Sequence, residues 1–421
     1  MAALFPPEIE EEILLRLPAK SLQRFSCVCK SWHSIIISSS FISSYNQRSS
    51  LYPQLLFLKH PYPHPLLPTK IHFSLSSESF VEYSTIKVPQ ASYDDDDDNI
   101  RPTRVELVTS NSINGVICVL VYMGLSNGYS LNCDMFLWNP STSESFKIPN
   151  SEITGLFSVP PMVTFYSGFG FSCEDYKVVR VVYLDAVNPT TEVFSLRRNS
   201  WKDVSSISRS RISSNILWAS SACTFVDGVG YWGAFKSETK LDFFLLGFDF
   251  EKESFRKIRI PQECIDGREM KYHSLWVYHE MLAISVLRFG EFDSKLARHY
   301  IWAMKDGEGL NSQLWYNLCY IDLEGGPRKP ILTLGNGELL LLGEDDGEHA
   351  LYDPVMEEVK IVDIFDVDTV VSYSESLVSF SQASIKIETG LATWSLFDGG
   401  IVLLAVSGKA FHLLEMRNQL K

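Results

Sequence analysis

The sequence predicts an α plus all-β chain, with a short three-helix segment at the N-terminus followed by a long domain of strands. Three observations carry this. Apolar residues fall at helical spacing over the first 45 residues. From about Leu51, short β-rich runs alternate with Gly, Asn and Asp turns. Those runs repeat at a fixed period, which marks an array of like units.

The helical elements come first. Ile9, Ile13, Leu14 and Leu17 fit one helix, with Glu8, Glu10, Glu11 and Glu12 near its positive N-terminal end. Pro7 suits a first helical position and Pro18 stops the helix. A second helix is predicted from Ala19, with Leu22 and Phe25 inward. A third holds Val28, Cys29, Trp32, Ile35 and Ile36. Below about 40 residues a chain usually needs outside help to close a core. Two readings follow: the helices pack on the next domain, or they present an obligate partner surface.

The strand region carries two repeated signatures. In one, an apolar strand, a turn and another strand recur around Gly115, Asp175, Gly228, Glu280 and Gly337, at spacings of 60, 53, 52 and 57 residues. In the other, an aromatic strand end precedes a polar turn and an apolar strand. Its aromatics are Trp138, Phe194, Phe248, Trp302 and Tyr352, spaced 56, 54, 54 and 50 apart. Each unit therefore holds two hairpins and four antiparallel strands, the sequence form of a β-propeller blade near the ~50-residue kelch period. Five blades are clear, and a sixth, weaker one falls in 51–90. The strand in 370–380 is expected to close the ring against the first blade, giving about six blades. A single β-sandwich would not need the same two hairpins so many times.

Composition excludes several function classes. The 421 residues are 45% apolar and 21% charged, as in a globular protein. The net charge of −14 lacks the basic face that nucleic-acid binding requires. Residues 1–48 are nearly neutral, so the remainder carries −15. "MAALFPPEIEEE" reads as no signal peptide, and no run approaches the ~18 apolar residues of a membrane span. The eight Cys form no C-x-x-C pair, and both Asn-x-Ser/Thr sites carry a forbidding Pro, which fits a reducing compartment, cytoplasmic or nuclear. "DDDDDN", 94–99, lacks the alternating spacing of a calcium loop and reads as a solvated loop. Residues 381–421 form a tail that this reading leaves unplaced.

Two resemblances give the pattern a meaning. "FPPEIEEEILLRLPAKSLQRFSCVCKSWHSIIISSSF", Phe5 to Phe41, resembles the F-box motif, with Phe5 where Leu is commoner. The fragments "WNPST", "FGFS…DYKVV", "GYWGA", "FDFEKESFRKI" and "LYDP…YSESLVS" resemble the F-box-associated interaction domain of plant F-box proteins. The expected domains are thus 1–45 (F-box), 46–380 (a propeller-like substrate-binding domain) and the tail.

The resemblance implies a substrate-recognition subunit of a Skp–cullin–F-box ubiquitin ligase. The F-box would dock on the Skp-type adaptor, and through it on cullin, while the propeller holds a target protein. The resemblance and the apolar pattern together nominate Phe5, Pro6, Ile9, Ile13, Leu14, Leu17, Pro18, Leu22, Val28, Cys29 and Trp32 as adaptor anchors or their direct supports. Some third-helix positions are expected to hold the helices together instead. Two alternatives stay open: a Skp-bound scaffold without a ligase role, and a self-incompatibility-locus F-box protein whose acidic propeller steers basic ribonucleases.

No cofactor, metal or catalytic residue is expected. G-x-S-x-G, H-E-x-x-H and phosphate-loop patterns are absent. "GFGF", 168–171, lacks a third Gly and a following helix, and reads as a strand. Cys27, Cys29 and His33 lack the four-ligand spacing of structural zinc. Target contacts are expected among the variable connections 122–133, 185–191, 235–241, 288–299 and 305–313, above all "KSETK" and "LRFGEFDSKLARHY".

Overall fold

The computed structural model describes residues 6–59, 72–76, 80, 82–87, 89, 100–125, 130–155, 164–183, 189–208, 212, 216–218, 222–236, 243–265, 270–289, 297–305, 313–323, 328–343, 348–364 and 367–380, with the short strands 394–397, 400–403, 406–407 and 410–411. Phe5 and the run 94–98 lie outside the described residues.

Four helices open the chain: α1 (Pro7–Leu14), α2 (Ala19–Phe25), α3 (Lys30–Ile36) and α4 (Ser39–Ser49). Prolines punctuate them, Pro7 sitting in the first turn of α1 and Pro18 at the N-cap of α2. Side chains start the other two. The Cys29 sulfur accepts from the Trp32 N–H at 3.5 Å, and the Ser38 hydroxyl accepts from the Phe41 N–H at 3.2 Å. Helix α4 adds to the three that the sequence predicts, and its buried Phe41 and Tyr45 complete their core.

The described strands then form six antiparallel blades. The first combines Gln54–Lys59, His72–Ser76 and Glu82–Lys87 with the late strand Val367–Tyr373. That late strand pairs with Gln54–Lys59, Leu56 lying opposite Val371, so the ring closes between its two ends as expected. The second blade is Ile100–Leu107, Ile117–Leu125, Ser130–Asn139 and Glu144–Lys147. The third is Thr164–Ser172, Asp175–Tyr183, Thr190–Ser195 and Ser200–Asp203. In the fourth the inner strand comes in two pieces, Ile216–Trp218 and Thr224–Val226, followed by Val229–Lys236, Phe243–Asp249 and Ser254–Ile258. The fifth is Met270–Tyr278, Met281–Phe289, Ala297–Lys305 and Leu314–Leu323, and the sixth Arg328–Thr333, Leu339–Gly343, His349–Asp353 and Glu358–Val362.

Successive side chains on a strand point to opposite faces, and both faces of a blade meet a neighbour. Leu56 and Leu58 join the core between blades one and two, whereas Leu55 and Phe57 join the core between blades six and one. Four further clusters fill the remaining junctions. This explains strands such as "DYKVVRVVY", which are buried on both sides along nearly their whole length, charged Lys177 and Arg180 included. Each fully buried large apolar side chain is worth about 1.5–3 kcal/mol, so hydrophobic burial closes the ring. The glycines of "GFGF" have a packing role here. A Cβ on Gly168 would stand 2.3 Å from the Trp232 ring, and one on Gly170 would stand 2.3 Å from Phe250. Blade four thus seats its aromatics directly on the backbone of blade three.

One connection leaves the rim of the ring. The segment after Ile100–Leu107 crosses toward blade four, where Ser110 N–H donates to the Cys223 carbonyl at 2.8 Å and Cys223 N–H to that of Val108 at 2.9 Å. The Ser112 N–H reaches the Ser372 carbonyl of blade one at 3.2 Å. Blades one and four are thereby linked through blade two's own loop.

Strand direction defines the two ends of the propeller. The helices, the 108–116 loop and the turn after Tyr373 share the end where inner strands finish. Connections between second and third strands leave from the other end. In the tail, Trp394–Phe397 pairs with Gly400–Leu403, and Val406–Ser407 with Ala410–Phe411, as two separate hairpins.

Candidate functional site

The helical domain has a covered side and an open side. On the covered side Leu14, Ala19, Leu22, Ile36, Phe41 and Tyr45 bury themselves around Leu377, which the propeller contributes. One carboxylate completes the contact. Glu375 Oε2 accepts from the Ala19 N–H, at the start of α2, and from the Tyr45 hydroxyl, both at 2.9 Å. Burial pushes the Tyr45 hydroxyl well above its ordinary value and the nearby Glu375 charge adds to the rise, so the phenol stays protonated and donates. At the edge, the Gln23 amide donates to the Thr142 carbonyl of blade two at 3.3 Å.

The open side carries apolar residues that nothing among the described residues covers. Ile9 and Ile13, one turn apart on α1, are 47% and 46% exposed. Val28, between α2 and α3, is 63% exposed, and Ile37 at the end of α3 is exposed too. Pro6, Pro18 and Cys29 are also exposed, while Leu17 and Trp32 are half-buried, Trp32 with its ring 5.5 Å from that of Phe25. Exposed apolar side chains at this density are uncommon on a monomer and are typical of protein-interaction surfaces.

The predicted anchors therefore divide. Leu14 and Leu22, at 1% and 0% exposure, lie beyond a partner's reach in this structure and support the surface from beneath. In the core they share with Leu377 they take the position of supports among the nominated residues. Phe5 lies outside the described residues. Cys29 has a local role, since its sulfur caps α3. Cys27, Cys29 and His33 line one depression, but among the described residues no group of three His, Cys, Asp or Glu is placed to hold a metal ion.

Sequence reasoning missed Glu375, Leu377 and Asn139. The Asn139 amide of "WNPST" donates to the Ser376 and Val378 carbonyls at 3.1 and 2.9 Å, while its oxygen accepts from the Ser141 N–H. Both quoted fragments, "WNPST" and "YSESLVS", therefore belong to one joint. Their recurrence as motif residues was the available signal, but no local pattern says that two segments so distant in sequence meet.

On the propeller, the connections within 122–133, 185–191, 235–241 and 288–299 each join a second strand to a third. They leave from the end opposite the helical domain. The stretch 305–313 falls between a third strand that finishes, and a fourth that starts, at the helical end. Residues 126–129, 184–188, 237–242, 290–296 and 306–312, which hold most of these stretches, lie outside the described residues. Among the described residues no helix is long and apolar enough to cross a membrane.

Comparison with known proteins agrees with this geometry. A model of the F-box domain matches residues 4–44, and one described as the F-box associated beta propeller domain matches residues 69–380. The F-box/kelch-repeat protein At3g23880 of Arabidopsis thaliana is 26% identical over 266 residues, covering 62% of this chain and 67% of that one. The F-box protein At1g30790 of the same plant is 26% identical over 331 residues, covering 74% and 73%. Another Arabidopsis relative, 27% identical, is matched over only 62% of its own length. Among solved structures, TolB from Acinetobacter baumannii is similar at 10% identity and a TM-score of 0.42, over 79% of this chain and 72% of TolB. With both of its parts matched, the chain belongs to the F-box proteins that carry an F-box associated beta propeller domain.

Proposed function

We propose that this protein is the substrate-recognition subunit of a Skp–cullin–F-box ubiquitin ligase, binding a Skp-type adaptor by the open side of its helices and a target protein by its propeller. The observation that carries the reading is the unequal burial of the helical domain. Its covered side is satisfied by the propeller, yet Ile9, Ile13, Val28 and Ile37 stay exposed. Large, lasting interfaces have apolar, charge-poor centres of this kind. The chain would break no bond itself. The target would sit at the end of the ring away from the helices, with "KSETK" and "LRFGEFDSKLARHY" as its first contacts. A cytoplasmic or nuclear setting fits the cysteines whose side chains are described, Cys27, Cys29, Cys118, Cys133, Cys173, Cys223 and Cys319, which are free thiols.

The test is co-purification of the full chain with a Skp-type adaptor and a cullin, beside the double variant Ile13→Asp with Val28→Asp. Both side chains are exposed, so the variant keeps its fold. The full chain is expected to capture both partners and the variant neither. Capture of adaptor without cullin points to a scaffold. Equal capture by both proteins moves the interface elsewhere.

A further inference from the structure

The segment 374–380 alternates its contacts. Glu375 and Leu377 face the helical domain, the first through Ala19 and Tyr45, the second inside the helical core. The residues between them face blade two. The Ser376 N–H donates to the Ser141 hydroxyl at 3.2 Å, and the Ser376 and Val378 carbonyls accept from Asn139. Phe380 N–H donates to Glu144 at 3.1 Å, and the Phe380 ring enters the core between blades two and three. The turn at Gly115 closes on the same segment. Its φ is +71°, and a Cβ there would stand 2.2 Å from Ser376 Cβ and 2.6 Å from the Ser374 carbonyl. This alternation is that of a strand wedged between two bodies.

We infer that residues 374–380 are a tie that fixes the helical domain on the propeller as one rigid unit, with the Glu375 carboxylate as its central contact. The segment follows directly on the ring-closing strand Val367–Tyr373. Glu375 does two things at once: it satisfies the first N–H of α2 and it holds α4 through Tyr45. Hydrogen bonds to a charged acceptor are stronger than neutral ones, and the two together restrain translation and rotation of the helices. Where the proposed function holds, the consequence is geometric. The adaptor-facing side chains and the far end of the propeller keep a set distance and angle, so one region of a bound target is presented.

The experiment measures rigidity without any partner, so its outcome is separate from that of the co-purification. Nitroxide labels are placed on the exposed thiols Cys27, in the helical domain, and Cys173, in the third blade. The full chain is used with Cys29, Cys133, Cys264 and Cys319 replaced by Ser, and the label-to-label distance distribution is read by pulsed electron resonance. One narrow peak is expected in this parent. Glu375→Ala, which leaves both donors unmatched, is expected to broaden it and raise the undocked population at least about tenfold, with Tyr45→Phe intermediate. Glu375→Gln keeps an acceptor oxygen in place and is expected to restore much of the narrow peak. That rescue separates loss of the tie from loss of folding. A parent distribution as broad as that of Glu375→Ala overturns the inference. So does a narrow peak in Glu375→Ala, or a Glu375→Gln protein no narrower than the alanine variant.

Discussion

The helical domain and the propeller solve the burial problem in opposite ways. Each blade is flanked by two others, so the inner strands bury both faces inside the ring. Blade one, closed by Val367–Tyr373 against Gln54–Lys59, packs on blade six like any other pair, while outer strands such as Glu358–Val362 stay exposed. Among the described residues the helices have one neighbour, the propeller. They bury Leu14, Leu22, Phe41 and Tyr45 against Leu377 and leave Ile9, Ile13 and Val28 in water. The lesson is that apolar content does not locate an interface in this chain. What separates the helices from the inner strands is that they keep apolar side chains in water on a whole side, as the outer rim of the propeller does at Tyr316, Tyr320 and Val355.

The contrast breaks first at the blade junctions. Trp232 is 1% exposed in the core between blades three and four, where its indole N–H donates to the Ser167 carbonyl at 3.3 Å. Trp232→Ala is expected to cost about 3–5 kcal/mol, because no neighbouring face is free to collapse into the space. Chemical denaturation followed by intrinsic fluorescence of the other tryptophans measures this. A loss below about 1 kcal/mol would show that the junctions are loosely packed.

The same junction holds a buried ion pair, Lys177 to Glu253 at 3.0 Å, with Lys202 on the second carboxylate oxygen at 2.8 Å. Burial by itself would raise the Glu253 carboxyl, but the hydrogen bonds and charges of Lys202 and Lys177 outweigh it and hold the group below its ordinary value of 4.5. A carboxyl depressed in the folded state contributes stability that is fully present above 4.5 and disappears as pH falls through the folded value. Glu253→Gln is therefore expected to cost about 1–3 kcal/mol at pH 7, and the gap to the parent should narrow steadily as pH drops below 4.5. Melting both proteins across the acid range checks this, and a gap that stays constant with pH would reject it.

Much of the propeller was legible because its physics is repetitive. A blade needs the same two hairpins each time, so Trp138, Phe194, Phe248 and Tyr352 are buried in the third strands of blades two, three, four and six, with Trp302 half-buried in that of blade five. The closing strand was legible for the same reason, as one strand left over at the far end of the repeat. The tie was not. Its hydrogen bonds span 356 residues from Ala19 to Glu375 and 237 from Asn139 to Ser376, and no local period encodes such a meeting. The helical site was half legible. Helical spacing identified the apolar residues, but both sides of these helices are apolar, so periodicity could not say which side the propeller would cover. Only the position of Leu377 assigns Leu14 and Leu22 to the core and leaves Ile13 outside it.

The smallest expected effect on stability tests that division most directly. Ile13 and Leu14 are neighbours in sequence and alike in size, at 46% and 1% exposure. Leu14→Ala opens a cavity beside Leu377 and should cost about 2–5 kcal/mol, lowering adaptor binding only by unfolding the helices. Ile13→Ala removes a side chain already in water, so its effect on unfolding should stay within about 0.5 kcal/mol. Its effect on adaptor affinity should nonetheless be near 2 kcal/mol, roughly thirtyfold, if Ile13 is an anchor. Thermal melting and a binding titration on the two single variants give both numbers. The expected result is a crossing pattern in which one variant loses stability and the other loses affinity. If Ile13→Ala instead destabilises as much as Leu14→Ala, the open side is part of the fold, and apolar exposure no longer argues for a partner there.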